Sequence, residues 1–381
     1  MTRLILLLTS FFFTFVLAHA KNDIPPSYIQ LIKSKKKKKS KTQPPPSQQQ
    51  SKYPPICNDG YDRSYFGVNP FTINFQPKKY VSIEDYIFIQ NELKNIDLTS
   101  IINKVSESNS SGRSVSRDGL RGRITKQLGN IINIEKNIYP EKKLVKIGSG
   151  GDNCVVTYAT ISGMYPDYVR AILPALERVN FNGYLLYYIG GWPNPTGEEI
   201  LYCGVPYSFK IFSMVEAYCL GFNKVLWIDS ALEPARDLQP LFDYITQHGA
   251  LIYHYAADPA RDEILPRGTR AELFQLTGTD PLQARYVRGG ILGLDMETEL
   301  AKNFVKVNYD YIRRGTPFLS LAPEEFVWSA ILGTPPYRKW LDARIFTDDE
   351  LLYGSDDPNA FIEAQRKGIY FIHRSVRPLL N

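Results

Sequence analysis

An α/β fold, with a mostly parallel mixed sheet flanked by helices, is predicted for the second half of this 381-residue chain. Three observations predict it. Short, apolar, β-branched runs alternate with helical spacing from residue 152 onward. Gly221 and Gly249 each close a helical run. One apolar run, KVLWI at 224–228, stops abruptly at a carboxylate, Asp229.

The elements follow in order. CVVTYAT, residues 154–160, reads as strand one, and residues 166–178 as a helix that Pro174 kinks or interrupts. YLLYYI at 184–189 is strand two, 207–220 a helix, and 224–228 strand three. A helix at 238–248 and a strand at 250–255 complete the series. The unit, taken as 148–381, has a normal size for one doubly wound domain.

The N-terminal third has another texture. Residues 1–20 carry Arg3, an apolar stretch and Ala18-His19-Ala20, the pattern of a cleaved signal peptide. The stretch is short for a membrane span, so an exported mature protein is expected and an uncleaved anchor is the alternative. Residues 21–56 are rich in Lys, Pro and Gln and form a disordered tether. Residues 33–41 hold seven lysines, enough to account for the net charge of +6. The rest of the chain is close to neutral, which argues against a nucleic-acid-binding fold. The lysine run could touch an anionic surface or serve as a solvated spacer. Residues 57–147 read as an N-terminal extension or small accessory unit. They include a helix over 82–93 that Ser82 caps with Asp85 three residues on, and a glycosylation pattern at Asn109. The sequence leaves the oligomeric state open.

The four cysteines, Cys57, Cys154, Cys203 and Cys219, fit no zinc or small-domain disulfide spacing. Buried thiols are the plain reading, and a Cys57–Cys203 pair is permitted by export. No G-x-S-x-G elbow or H-E-x-x-H motif is present, and a hydrolase is disfavoured.

Ligands of open α/β sheets bind beyond the carboxyl ends of the strands, where Asp229 is expected. A carboxylate there holds a divalent cation or a diphosphate partner. Equally, Asp229 or Ser230 caps a following turn.

Residues 206–243, PYSFKIFSMVEAYCLGFNKVLWIDSALEPARDLQPLFD, resemble the centre of nucleotide-sugar-dependent glycosyltransferases of the A-type (GT-A) fold, as in the glycogenin-like group. The matching frame is Lys210, Gly221, the run 224–229 and the helix 237–243. ARYVRGGILGLD at 284–295 is similar to the glycine-containing strand that lines the donor sugar. PEEFVWSAIL at 323–332 and YFIHRSVRPLL at 370–380 are weaker matches. The resemblance implies a nucleoside diphosphate sugar donor, a carbohydrate or protein acceptor, and a divalent cation (Mn or Mg), dispensable in a variant site. It implies donor contacts from Lys210, Asp229, Ser230, Arg288, Gly289 and Gly290, an acceptor-side acid at Glu324 or Glu325, and metal ligation by Asp229 and His373.

The chain departs from this pattern at Asp229-Ser230-Ala231, where the family carries Asp-x-Asp. Either Asp229 and His373 suffice, or Glu233 substitutes, or the domain is metal-independent or inactive. Plain structural roles stand beside each functional one. Lys210 is in that reading a solvated residue on the first turn of a helix, Glu324 and Glu325 favour a helix dipole after Pro323, and a lone strand-end histidine is commonly structural. Trp192 is either a stacking platform or a loop anchor. GSGG at 148–151 precedes a strand and reads as a linker. A non-catalytic sugar- or nucleotide-binding module, or a structural or adhesive exported protein working through its tail, are the rival functions.

Overall fold

The computed structural model describes residues 69–106, 117–128, 131–132, 138–357 and 359–374. The expected signal peptide, the tether, the Asn109 pattern and Cys57 lie outside the described residues.

Six strands form the main sheet: β1 (Glu141–Ile147), β2 (Asn153–Ala159), β3 (Gly183–Ile189), β4 (Lys224–Ile228), β6 (Ala250–Tyr255) and β7 (Tyr286–Asp295), in the order β1-β3-β2-β4-β7-β6. β3, β2 and β4 pair in parallel. β7 lies antiparallel between β4 and β6, so β6 runs with β4. Four of the six strands therefore share one direction, while β1 and β7 oppose them. A second, three-stranded sheet joins β5 (Leu232–Pro234), β9 (Phe371–His373) and β8 (Leu352–Gly354).

The central strands are apolar because both faces are covered. Side chains alternate along a strand, and the two cores divide accordingly. Cys154, Val156, Tyr158, Leu186, Tyr188, Val225 and Trp227 enter one core. Val155, Ala159, Leu185, Tyr187, Ile189, Leu226 and Ile228 enter the other.

Three helices of the N-terminal region, α1 (Ile83–Lys94), α2 (Leu98–Ser106) and α3 (Arg117–Leu128), contribute Ile89, Leu93, Ile101, Ile102, Leu120 and Ile124 to the first core. α4 (Tyr165–Arg178) covers the second core through Val169, Ile172 and Leu176, and α5 (Phe209–Cys219) covers the first. α6 (Gln239–His248) packs Leu241, Phe242 and Ile245 into the second core. α7 (Arg267–Thr277), α8 (Glu299–Arg314), α9 (Pro323–Leu332) and α10 (Pro335–Ala343) lie on the first. Two short helices, α11 (Asp348–Leu351) and α12 (Ala360–Lys367), flank the small sheet. Among the described residues no helix is long and apolar enough to cross a membrane.

The expected strands and helices stand close to their predicted bounds. Ser82 caps α1 in a reciprocal box: its hydroxyl accepts from the Asp85 N–H, and its own N–H donates to the Asp85 carboxylate. Two details differ. α4 runs uninterrupted through Pro174, and Pro174 and Arg170 both lie on its exposed side. The run 141–147, read within the N-terminal extension, is β1 and the sheet's edge strand; GSGG is its turn into β2, with Gly148, Gly150 and Gly151 all at positive φ. Cys154 and Cys203 are buried free thiols, and Cys219 is half-buried.

His254 on β6 is fully buried, and burial and the Arg285 charge hold its pKa below the usual 6.5. Its neutral form therefore contributes stability that is complete above about pH 6.5. That contribution declines as pH falls toward the depressed folded value, by at most about 1.4 kcal/mol per pH unit for one proton. Denaturation across this window should give His254→Gln a shallower pH slope than the parent; equal slopes would count against the assignment.

Candidate functional site

A cavity of about 680 Å³ opens beyond the carboxyl ends of β2 and β4, within the size range of small-ligand sites. Its wall is built from the segment after β2 (Thr160, Met164, Tyr165, Tyr168), the turn after β4 (Asp229–Leu232), the start of β7 and the end of β9.

The antiparallel setting of β7 brings two distant segments together. Ile291 pairs with Ile228, so Arg288–Gly290, which precede Ile291, lie at the same edge as Asp229, which follows Ile228. The Asp229 N–H donates to the Gly290 carbonyl at 2.8 Å. A parallel β7 would have delivered its other end here.

Asp229 is not a cap. Its backbone carbonyl closes a turn by accepting from the Leu232 N–H, and the next helix, α6, starts ten residues later. Its side chain turns to the cavity instead. Oδ1 accepts from the Trp227 indole at 3.0 Å and pairs with the Lys210 ammonium at 2.8 Å. The side chain is 43% exposed.

Lys210, on the first turn of α5, is fully buried. Its Nζ meets Asp229, Glu324 Oε1 at 2.7 Å and the Gly289 carbonyl at 2.8 Å. An ammonium has three N–H donors, and this one uses all three inside the protein. Lys210 also lines the cavity, where its ammonium is held by these three oxygens as an internal clamp. Burial alone would lower the lysine pKa; the two carboxylates more than offset it and raise it, so Lys210 stays charged.

The two glutamates at the start of α9 separate in role. Glu324 is buried against Lys210 and does not line the cavity. Burial pushes its carboxyl up, Lys210 pulls it back, and the neighbouring Glu325 charge adds to the rise. Its Oε2 has no hydrogen-bond partner among the described residues. Glu325 does line the cavity, where Oε1 accepts from the Gly289 N–H at 3.0 Å and Oε2 from the Tyr286 hydroxyl. The Tyr286 pKa is raised by burial and by that carboxylate.

The two glycines also differ. A Cβ on Gly289 would stand 2.0 Å from Glu324 Oε1, so the clamp itself excludes a side chain there. A Cβ on Gly290 would meet Asp229 only at 3.7 Å. Its missing side chain keeps the cavity wall open.

Arg288 lines the cavity 39% exposed, 3.4 Å from Glu325 and over the Tyr255 ring. Ser230 and His373 line it too, the first buried and the second exposed. Glu233, expected as a substitute ligand, is held at both oxygens: Arg178 at 2.5 Å and Arg374 at 2.8 Å. Trp192 is a loop anchor. It is buried, donates to the Glu199 carbonyl at 3.1 Å and packs edge-on against Tyr158 and Phe209, away from the cavity lining.

Sequence reasoning missed the aromatic lining. Tyr158 and Phe209 stack with centroids 4.3 Å apart, beside Tyr165, Tyr168, Tyr207, Trp227 and Tyr253. Tyr207 sits at φ +60°, a conformation that costs a bulky residue energy and concentrates at functional sites. The available signal was position, since Tyr165 and Tyr168 follow strand β2 and Tyr207 and Phe209 flank Lys210 within three residues.

The residues do not fit a tightly held divalent cation. Ala231 offers no donor, Glu233 is spoken for, and Asp229 Oδ1 already carries an ammonium and an indole N–H. Asp229 Oδ2 and His373 remain. Among the described residues no group of three His, Cys, Asp or Glu converges on a metal position.

The fold and cavity define an α/β protein with a ligand-sized site at its carboxyl strand ends. No protein-family model matches the chain, and no curated protein matches it. The solved structures that are similar in part include these three. Mouse xyloside xylosyltransferase 1 shares 9% identity at TM-score 0.30, over 58% of this chain and 96% of its own. The WbbM bifunctional glycosyltransferase shares 13% at 0.33, over 59% and 45%. The galactosyltransferase LgtC, in complex with donor and acceptor sugar analogues, shares 12% at 0.28, over 58% and 86%.

Proposed function

We propose that the protein is an exported glycosyltransferase that moves a sugar from a nucleoside diphosphate sugar to a carbohydrate or protein hydroxyl. The observation that carries this is Asp229. It is a half-exposed carboxylate at the end of a central strand, facing an aromatic-walled cavity across the Gly290 backbone. Rings offer faces for a base or a sugar, and a carboxylate accepts from sugar hydroxyls. The partly exposed Arg288 guanidinium supplies charge for a diphosphate, and Gly289–Gly290 leave room for the donor sugar. Glu325, rather than Glu324, is the acceptor-side base in this reading, because it lines the cavity.

The missing second carboxylate at Ala231 favours a second reading, a binding module that holds the nucleotide sugar without turning it over. One experiment separates them. The full chain is titrated with a panel of nucleoside diphosphates and their sugars, following melting temperature and sugar-nucleotide cleavage together. A shift with cleavage is expected. A shift without cleavage would leave the binding module, and no shift with any nucleotide would end both readings.

A further inference from the structure

The second carboxylate that a metal site would need has a counterpart in this molecule, and it is already neutralised. Asp229 and Glu324 converge on one point from β4 and α9, which lie far apart in sequence. At that point stands the Lys210 ammonium, 2.8 Å from one and 2.7 Å from the other. The Gly289 carbonyl completes three oxygens around the nitrogen, and the Tyr207 and Trp227 rings lie 5.2 and 5.4 Å away. Three oxygens around a buried positive charge, backed by aromatic faces, form a cation site whose cation is part of the chain.

We infer that Lys210 is the resident cation of this site, standing where a divalent metal would otherwise bridge Asp229 and Glu324, and that ligands of the cavity bind without metal. The fixed charge also explains the unused ligands. Adding a divalent ion beside Asp229 would set two cations against each other in a buried site, with only Oδ2 and His373 to offset the repulsion. The consequence for a nucleoside diphosphate rests on the function proposed above; the consequence for metal does not.

The test uses the full chain, with Mn²⁺ alone as the first probe. Parent protein is expected to show neither a saturable Mn²⁺ site in the cavity nor a melting shift between chelator and Mn²⁺. Lys210→Ala removes the ammonium and leaves two carboxylates facing a gap. It should become metal-dependent, its melting temperature rising with Mn²⁺, and adding Glu324→Gln should abolish that rise. With UDP or another nucleoside diphosphate as second probe, affinity in chelator and in Mn²⁺ should agree within about twofold, well short of the tenfold that corresponds to about 1.4 kcal/mol. A saturable Mn²⁺ site in the parent that disappears in Asp229→Asn would overturn the inference. So would a tenfold loss of nucleotide affinity on chelation. Should Lys210→Ala fail to fold even with Mn²⁺, the parent measurements decide alone. Failure of every nucleotide to bind would sink the transferase reading and leave the Mn²⁺ result to judge this one.

Discussion

Lys210→Met is expected to destabilise the protein by about 3–5 kcal/mol, the range for removing one partner of a buried ion pair. Methionine matches the length of the lysine stem and fills its space, so the loss is electrostatic. Glu324, whose side chain is 5% exposed, would lose the ammonium it pairs with, and the Gly289 carbonyl would lose its donor. The glutamate would respond by taking up a proton, since burial already raises its pKa. Adding Glu324→Gln should therefore recover part of the loss, because a neutral amide needs no counter-charge. Urea denaturation of the three variants measures this. A loss below about 1 kcal/mol for Lys210→Met would mean that the clamp is a bystander to the fold.

Asp229→Asn should separate function from fold. The amide keeps the shape and an oxygen for the Trp227 indole and Lys210, while Lys210 retains its charged bond to Glu324. With the side chain 43% exposed, the stability change is expected to stay under about 1 kcal/mol. If the proposed transfer reaction is correct, turnover should fall by roughly 10²–10³-fold, the scale of losing one group aimed at developing charge. Steady-state kinetics beside a thermal melt read both quantities. Unchanged turnover with an intact fold would remove Asp229 from the reaction.

The strand-and-helix order of the second half was legible because its signals are local. The apolar, β-branched run CVVTYA, the apolar run before Asp229 and the αL glycine after α6 each act within a few residues. β1 was missed for the opposite reason. EKKLVKI is an edge strand with mostly exposed side chains, and its lysines mask the period. Asp229 was marked by its place after an apolar strand, and Lys210, Arg288–Gly290, Glu324, Glu325 and His373 by their resemblance to a family frame.

Which of those residues share a site, and in what role, was beyond any local signal. Lys210 read as a solvated helix residue or a phosphate contact until β7, inserted antiparallel, brought Gly289 and Gly290 to its side and α9 brought Glu324. The same packing turned Glu324 inward and left Glu325 at the cavity, though the two are adjacent and chemically alike. By itself, then, the sequence determined the layered α/β architecture and a carboxylate at the end of β4. Those follow from periodicity and from chain termination of an apolar run. The tertiary structure alone decided that this carboxylate is held by a buried lysine and faces a cavity walled by rings from several segments. Charge and contact in a folded core depend on which distant backbones meet, and here that was set by the direction of one strand.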